Sequence, residues 1–225
     1  CRDYEYKNIY VIGGEAPTPA PTFPVTLPLG AVGLEASSTG FTQPTGGTSF
    51  SDGAIYTSVG SYYVDSVETF YRPVELSVDM RQVDGLSEEC GVIALFPQST
   101  DRHSGYTAGV GWWASYFGAG VDSSLGAKGD NNGVTSEWHN VKINAAADGY
   151  VYFYLDGELR YTLADDQYES GIVRLGNNCR DYEYKNIYVI GGEAPTPAPT
   201  FPVTLPLGAV GLEASSTGFT QPTGG

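Results

Sequence analysis

Apolar and polar residues alternate along several stretches of the chain, and the period is that of a strand. In Val74-Glu75-Leu76-Ser77-Val78-Asp79-Met80-Arg81 every second residue is apolar, which predicts one buried face and one wet face. Trp138-His139-Asn140-Val141-Lys142-Ile143 repeats the alternation. Gly91-Val92-Ile93-Ala94-Leu95-Phe96 is a short, continuous apolar run, suited to a central strand covered on both sides. Tyr150-Val151-Tyr152-Phe153-Tyr154-Leu155 and Glu158-Leu159-Arg160-Tyr161-Thr162-Leu163 flank Asp156-Gly157. That dipeptide supplies the positive φ of a type I′ turn, so the three pieces predict a two-residue hairpin. Residues 171–176 and 182–190 read as two further strands, and no longer window carries a helical stripe. The pattern predicts an all-β fold, an antiparallel sandwich of two sheets.

A second pattern is written over the first. Residues 1–47 recur without change as residues 179–225, a period of 178 residues. Surface loops have no physical reason to converge, so identity of this length implies tandem copies of one unit. The copies divide the chain into the closing strand of a preceding repeat (1–12), a Pro/Thr linker (13–29), a β-sandwich repeat (30–190), a second linker (191–207) and the start of a further repeat (208–225). The chain is therefore expected to be a stretch of a longer polymer.

The linkers have their own chemistry. Ala194-Pro195-Thr196-Pro197-Ala198-Pro199-Thr200-Phe201-Pro202-Val203-Thr204-Leu205-Pro206 holds prolines that exclude helix and remove ladder donors. It should form polyproline II, rising about 3.1 Å per residue. Thr196, Thr200 and Thr204, with their equivalents Thr18, Thr22 and Thr26, recur every four residues among the prolines, the composition of an O-glycosylated stalk. Phe201, Val203 and Leu205 are apolar and costly to leave wet. We expect them to dock on a neighbouring domain as assembly contacts.

A family resemblance rests on the second half of the repeat. Glu137-Trp138-His139-Asn140-Val141-Lys142-Ile143, Asp148-Gly149, the hairpin turning at Asp156-Gly157, Gly171-Ile172-Val173-Arg174-Leu175-Gly176 and Tyr184-Lys185-Asn186-Ile187-Tyr188-Val189 together resemble concanavalin A-like jelly rolls. The laminin G-like and sugar-hydrolase-associated branches share this rhythm. The likeness covers roughly residues 134–190 well and 33–133 in outline. It implies two packed, curved sheets whose first and last strands lie close together. It leaves function open, because the superfamily mixes lectins, glycosidases and structural modules.

Composition narrows the function classes. Acidic residues outnumber basic ones 26 to 11, for a net charge of −15. Such a surface repels nucleic acid, which needs basic residues. No run of apolar residues is long enough to span a membrane as a helix. Cys1 and Cys179 are one site seen twice, so each repeat owns Cys90 and Cys179. They are either one disulfide within the repeat or two buried thiols; we expect the disulfide, and with it an oxidising, extracellular location.

Candidate chemistry is sparse. A glycosidase needs two carboxylates flanking a cleft, yet Asp130, Asp148, Asp156, Asp165 and Asp166 fall in predicted turns and no Glu-x-Asp-x-x-Glu pattern occurs. His103 and His139 meet no Gly-x-Ser-x-Gly elbow, and His139 reads as structural. Asp130-Asn131-Asn132 offers oxygen ligands but reads first as a turn, so neither a metal nor a cofactor is expected. Trp112, Trp113 and Tyr116 lie in a Gly-rich stretch and are candidates for glycan contact, since flat rings stack on pyranose faces. The resulting expectation is a non-catalytic structural repeat of an extracellular, O-glycosylated filament or stalk, self-assembling with its neighbours. A carbohydrate-binding adhesin repeat is the alternative, and a glycoside hydrolase-related module the third reading.

Overall fold

The computed structural model describes residues 31–194, apart from 35, 38, 43–46, 59, 61–62, 84–90, 102, 113–115, 123, 129–135 and 178–179. Strands account for all the regular structure among these residues. In chain order they are β1 (Ala31–Gly33), β2 (Phe41–Thr42), β3 (Thr48–Ser51), β4 (Ala54–Thr57), β5 (Tyr63–Ser66) and β6 (Phe70–Tyr71). Then come β7 (Val74–Gln82), β8 (Gly91–Leu95), β9 (Tyr106–Trp112), β10 (Tyr116–Val121), β11 (Ser124–Lys128) and β12 (His139–Ala145). The last five are β13 (Tyr150–Leu155), β14 (Glu158–Ala164), β15 (Ser170–Gly171), β16 (Val173–Asn177) and β17 (Tyr182–Gly191).

Two antiparallel sheets hold nearly all of them. One runs β14-β13-β12-β7-β17-β4-β3, with β1 also on β17; the other runs β11-β10-β9-β8-β16-β5-β2. The alternation predicted for 74–81 is seen at all but one position: Ser77, predicted wet, is buried where Asn140 Nδ2 donates to its hydroxyl at 3.0 Å. Glu75, Asp79 and Arg81 are half-buried, and Val74, Leu76, Val78 and Met80 are buried. Val141, Ile143, Val151, Phe153, Tyr182, Tyr184 and Val189 join them from the same sheet, and Val64, Ile93, Leu95, Tyr106, Ala108, Val173 and Leu175 close the core from the other. β8 is central, between β9 and β16, as its apolar run predicts. Two of the buried tyrosines satisfy their hydroxyls on carbonyls, Tyr182 Oη donating to Val110 O at 3.0 Å and Tyr184 Oη donating to Gly176 O.

The hairpin turns at Asp156 and Gly157, whose φ values of 51° and 80° are the positive pair a type I′ turn requires. Asp156 also accepts the Asn140 amide at 2.9 Å and contacts His139 Nδ1 at 2.8 Å, so His139 braces the turn. Several strand ends differ from the expectation by one residue, and two departures bear on the packing. β12 starts at His139 rather than Trp138, which frees the Trp138 ring to pack sideways. The stretch 171–176 is two strands: β15 pairs with β6 in a small sheet of its own, and β16 joins the seven-stranded sheet. The break falls at Ile172, whose carbonyl accepts the Phe96 amide at 3.0 Å.

The first and last strands meet. Ala31, Val32 and Gly33 pair with Ile190, Val189 and Tyr188. Among the described residues no helix is long and apolar enough to cross a membrane.

Candidate functional site

Among the described residues, the outer face of the eight-stranded sheet carries a row of tyrosine rings. Alternation along β13 buries Val151 and Phe153 and turns Tyr150, Tyr152 and Tyr154 outward. Strand geometry spaces the three side chains roughly 6.6 Å apart. The Tyr150 and Tyr152 ring centroids are 6.2 Å apart and their planes differ by 30°, so two faces of similar tilt follow one another along the strand. β14 lies beside them, with Ala164, Thr162 and Leu159 in register with Tyr150, Tyr152 and Tyr154. Leu159 and Tyr150 are both strongly exposed, at 49% and 43%.

Polar groups orient this row. Tyr152 Oη donates to Asp148 Oδ2 at 2.7 Å, and the Tyr150 amide donates to Asp148 Oδ1 at 3.0 Å. The Tyr152 hydroxyl and then the Tyr150 amide hold the Asp148 carboxyl below its ordinary range, and the same bond pushes the Tyr152 phenol up. On the inner flank, Lys142 Nζ lies 5.6 Å from the Tyr154 centroid and 2.9 Å from Glu75 Oε1. Asn144 reaches the other Glu75 oxygen at 3.4 Å. A flat aromatic row fringed by amide, ammonium and carboxylate groups can stack on the apolar face of a sugar while its edges bond hydroxyls.

The rest of this face is engaged with itself. The Arg81 guanidinium, at 4.6 Å, and Lys185 Nζ, at 3.8 Å, both lie over the Trp138 ring, and Arg81 Nη2 pairs with Glu183 at 2.6 Å. Asp79 accepts from Asn140 at 2.8 Å and from Asn186 at 2.7 Å. These groups saturate one another and stiffen the sheet beside the tyrosine row.

The outer face of the seven-stranded sheet is closed where it is described. Val173 and Leu175 point into the core, so Arg174 points out, yet it is only 4% exposed. Its guanidinium forks onto Asp65 at 2.7 and 2.9 Å. It also donates to Ser99 O at 2.7 Å and Asp101 O at 2.9 Å, and lies 4.0 Å above the Tyr63 ring. Arg174 thereby ties the 99–101 segment to this face, on which its ladder partner Ala94 and, one strand further, Thr107 also lie. Both are buried.

The residues singled out from sequence fall mostly elsewhere. Cys1, Cys90, Cys179, Trp113, Thr18, Thr22, Thr26, Thr196, Thr200, Thr204, Phe201, Val203 and Leu205 lie outside the described residues, as do Asp130 and its neighbours. Trp112 closes β9 and Tyr116 opens β10, and their backbones pair across that hairpin. Among the turn carboxylates, Asp148 orients Tyr152, Asp156 braces the hairpin, and Asp165 accepts the Tyr106 hydroxyl at 2.8 Å. Among the described residues no three His, Cys, Asp or Glu side chains are grouped to hold a metal. The tyrosine row was not singled out, although its signal is in plain view: three tyrosines at alternate positions on the polar side of a strand.

No protein-family model and no curated protein matches the sequence. Solved structures do resemble it. The carbohydrate-binding module CBM66 from Bacillus subtilis aligns with a TM-score of 0.56 at 18% identity, over 68% of this chain and 96% of that one. The Bacillus licheniformis β-glucanase aligns with a TM-score of 0.55 at 12% identity, over 73% and 99%. The Crh5 transglycosylase in complex with NAG aligns with a TM-score of 0.55 at 13% identity, over 74% and 85%. At these identities the likeness shows the fold alone, an antiparallel jelly-roll sandwich of two sheets.

Proposed function

We propose that this chain is a tandemly repeated, non-catalytic carbohydrate-binding module of an extracellular polymer, gripping glycan through Tyr150, Tyr152 and Tyr154. The observation that carries the reading is the outward-facing tyrosine row, exposed at Tyr150, half-buried at Tyr152 and Tyr154, and oriented by Asp148. The carbohydrate-binding role that CBM66 bears in its name supports the same reading by fold alone. The net charge of −15 favours neutral glycans over uronate or sulfated ones. O-linked sugar on Thr196, Thr200 and Thr204 would place such a ligand within the polymer itself.

A second reading, a structural filament whose repeats bind no free sugar, is favoured by one observation, the 47-residue identity between residues 1–47 and 179–225. A glycan array followed by titration calorimetry separates the two. Binding to neutral oligosaccharides that weakens roughly threefold to tenfold in each of Tyr150→Ala and Tyr152→Ala supports the module, from about 0.5–1.5 kcal/mol per ring contact. No binding by the parent chain, or binding indifferent to both substitutions, overturns it and leaves the filament reading.

A further inference from the structure

The edge of β17 that faces away from β7 is divided into two separate docking places. Its first half, Tyr182 to Tyr184, is covered by β4, and its second half, Tyr188 to Ile190, by β1. Between them the pairing with β7 slips, and Asn186 takes a φ of 48° with its amide fixed on Asp79 at 2.7 Å. A bulge of this kind interrupts the ladder, so β1 can leave without disturbing β4. β1 itself is three residues long, with Val32 54% exposed, and is continued by one further bond, the Leu34 amide to Ile187 O at 2.9 Å. An emptied place would expose a row of unpaired amides and carbonyls, a template for another strand.

The sequence holds a second copy of the segment that fills it. Ala31-Val32-Gly33-Leu34 recurs as Ala209-Val210-Gly211-Leu212. Two identical segments make identical contacts in one place, so the choice between them is set by how each is tethered and by concentration, never by the contacts themselves. We propose that the β1 place is exchangeable between copies: residues 209–212 of one molecule pair with residues 188–190 of a second, joining repeats edge to edge. The partner is thus a second copy of this chain, and the ligand a strand added to an open sheet edge.

The test uses the register, in which residue 31, and hence residue 209, faces Ile190. A full-length donor carrying Ala209→Cys is mixed with a full-length receiver carrying Ile190→Cys and Val32→Pro, with Val210→Pro to silence the receiver's own second copy of the segment. The proline removes the donor at residue 32 and disfavours the receiver's own β1. Slow oxidation followed by peptide mapping should find the residue 209–190 disulfide between molecules. Its yield should be about tenfold lower when the receiver keeps Val32, whose tethered strand competes at an effective concentration in the millimolar range. Adding Val210→Pro to the donor should abolish it. The double variant Ala31→Cys with Ile190→Cys, closing within one molecule, confirms that the register permits a bond. If that control closes while the mixture with the Val32→Pro receiver yields no 209–190 bridge, the place is not exchangeable and the proposal fails. Circular dichroism on each receiver establishes that it is folded; an unfolded Val32→Pro receiver would show β1 to be essential to the domain, which also overturns the proposal.

Discussion

Arg174→Ala should be among the most damaging single changes in the sandwich, although the residue lies on an outer face. The side chain is 5% exposed and its partner Asp65 19%. Truncation removes both arms of the fork to Asp65 and the bonds to Ser99 O and Asp101 O. It leaves a mostly buried carboxylate without its counter-charge. Breaking a buried pair from one side costs about 3–5 kcal/mol, against a total stability of about 5–15 kcal/mol for a domain. With a urea slope of about 2 kcal/mol/M, the unfolding midpoint should fall by about 1.5–2.5 M. Replacing both partners, Arg174→Met with Asp65→Leu, should recover most of the loss, since a well-packed apolar pair is often neutral relative to a buried ion pair. Urea unfolding followed by tyrosine and tryptophan fluorescence reads all three proteins. A loss below about 1 kcal/mol in Arg174→Ala would match an exposed ion pair and refute the argument that this guanidinium holds the 99–101 segment in place.

Two further outcomes follow from the core. Burial pushes the Tyr106 phenol up to about 12, and burial together with the Asp122 carboxylate does the same for Tyr168. An unfolded tyrosine ionises near pH 10, so above that pH the unfolded chain releases protons the folded one retains. Stability is therefore full below about pH 10 and falls as pH rises towards 12. Urea midpoints against pH should show this slope, shallower in Tyr106→Phe; a flat profile up to about pH 11.5 would contradict it. Gly91→Ala would place a methyl 2.3 Å from Tyr182 Cδ1 and 2.6 Å from Met80 Cε, an overpacking that typically costs 1–3 kcal/mol. An unchanged thermal midpoint would show that the two sheets yield locally at this point.

The elements legible in sequence are those whose periodicity is strict. The alternation of 74–81 and the Asp156-Gly157 turn mark β7, β13 and β14 because each residue's face follows from its neighbours. The run 171–176 has no such period: Gly171, Ile172 and Val173 are equally at home on either side of a break, so the split into β15 and β16 left no mark. The meeting of β1 with β17 joins residues far apart in sequence. Only the family resemblance implied it, since no local pattern encodes a partner so distant. At the site, neighbouring tryptophans drew the eye to 112–113, while Tyr150, Tyr152 and Tyr154 were read only as strand. Arg174 was not singled out because an arginine opposite a buried valine reads as solvent-facing. Its burial comes from a segment some 75 residues earlier in the chain.

The pairing of Ala31 with Ile190 brings the point where the chain enters the domain beside the point where it leaves. Were such domains joined in the polymer proposed above, tension would be applied to that one corner, pulling β1 and β17 apart from the shared end. The bonds of an antiparallel ladder loaded in this way open one after another rather than all together. The short β1 ladder would be the first to yield, lengthening the polymer by the residues it releases while the paired core of the sandwich stays shut. The fold would then make each repeat a low-force extensible link, with its resistance set by three residue pairs and not by the size of the hydrophobic core.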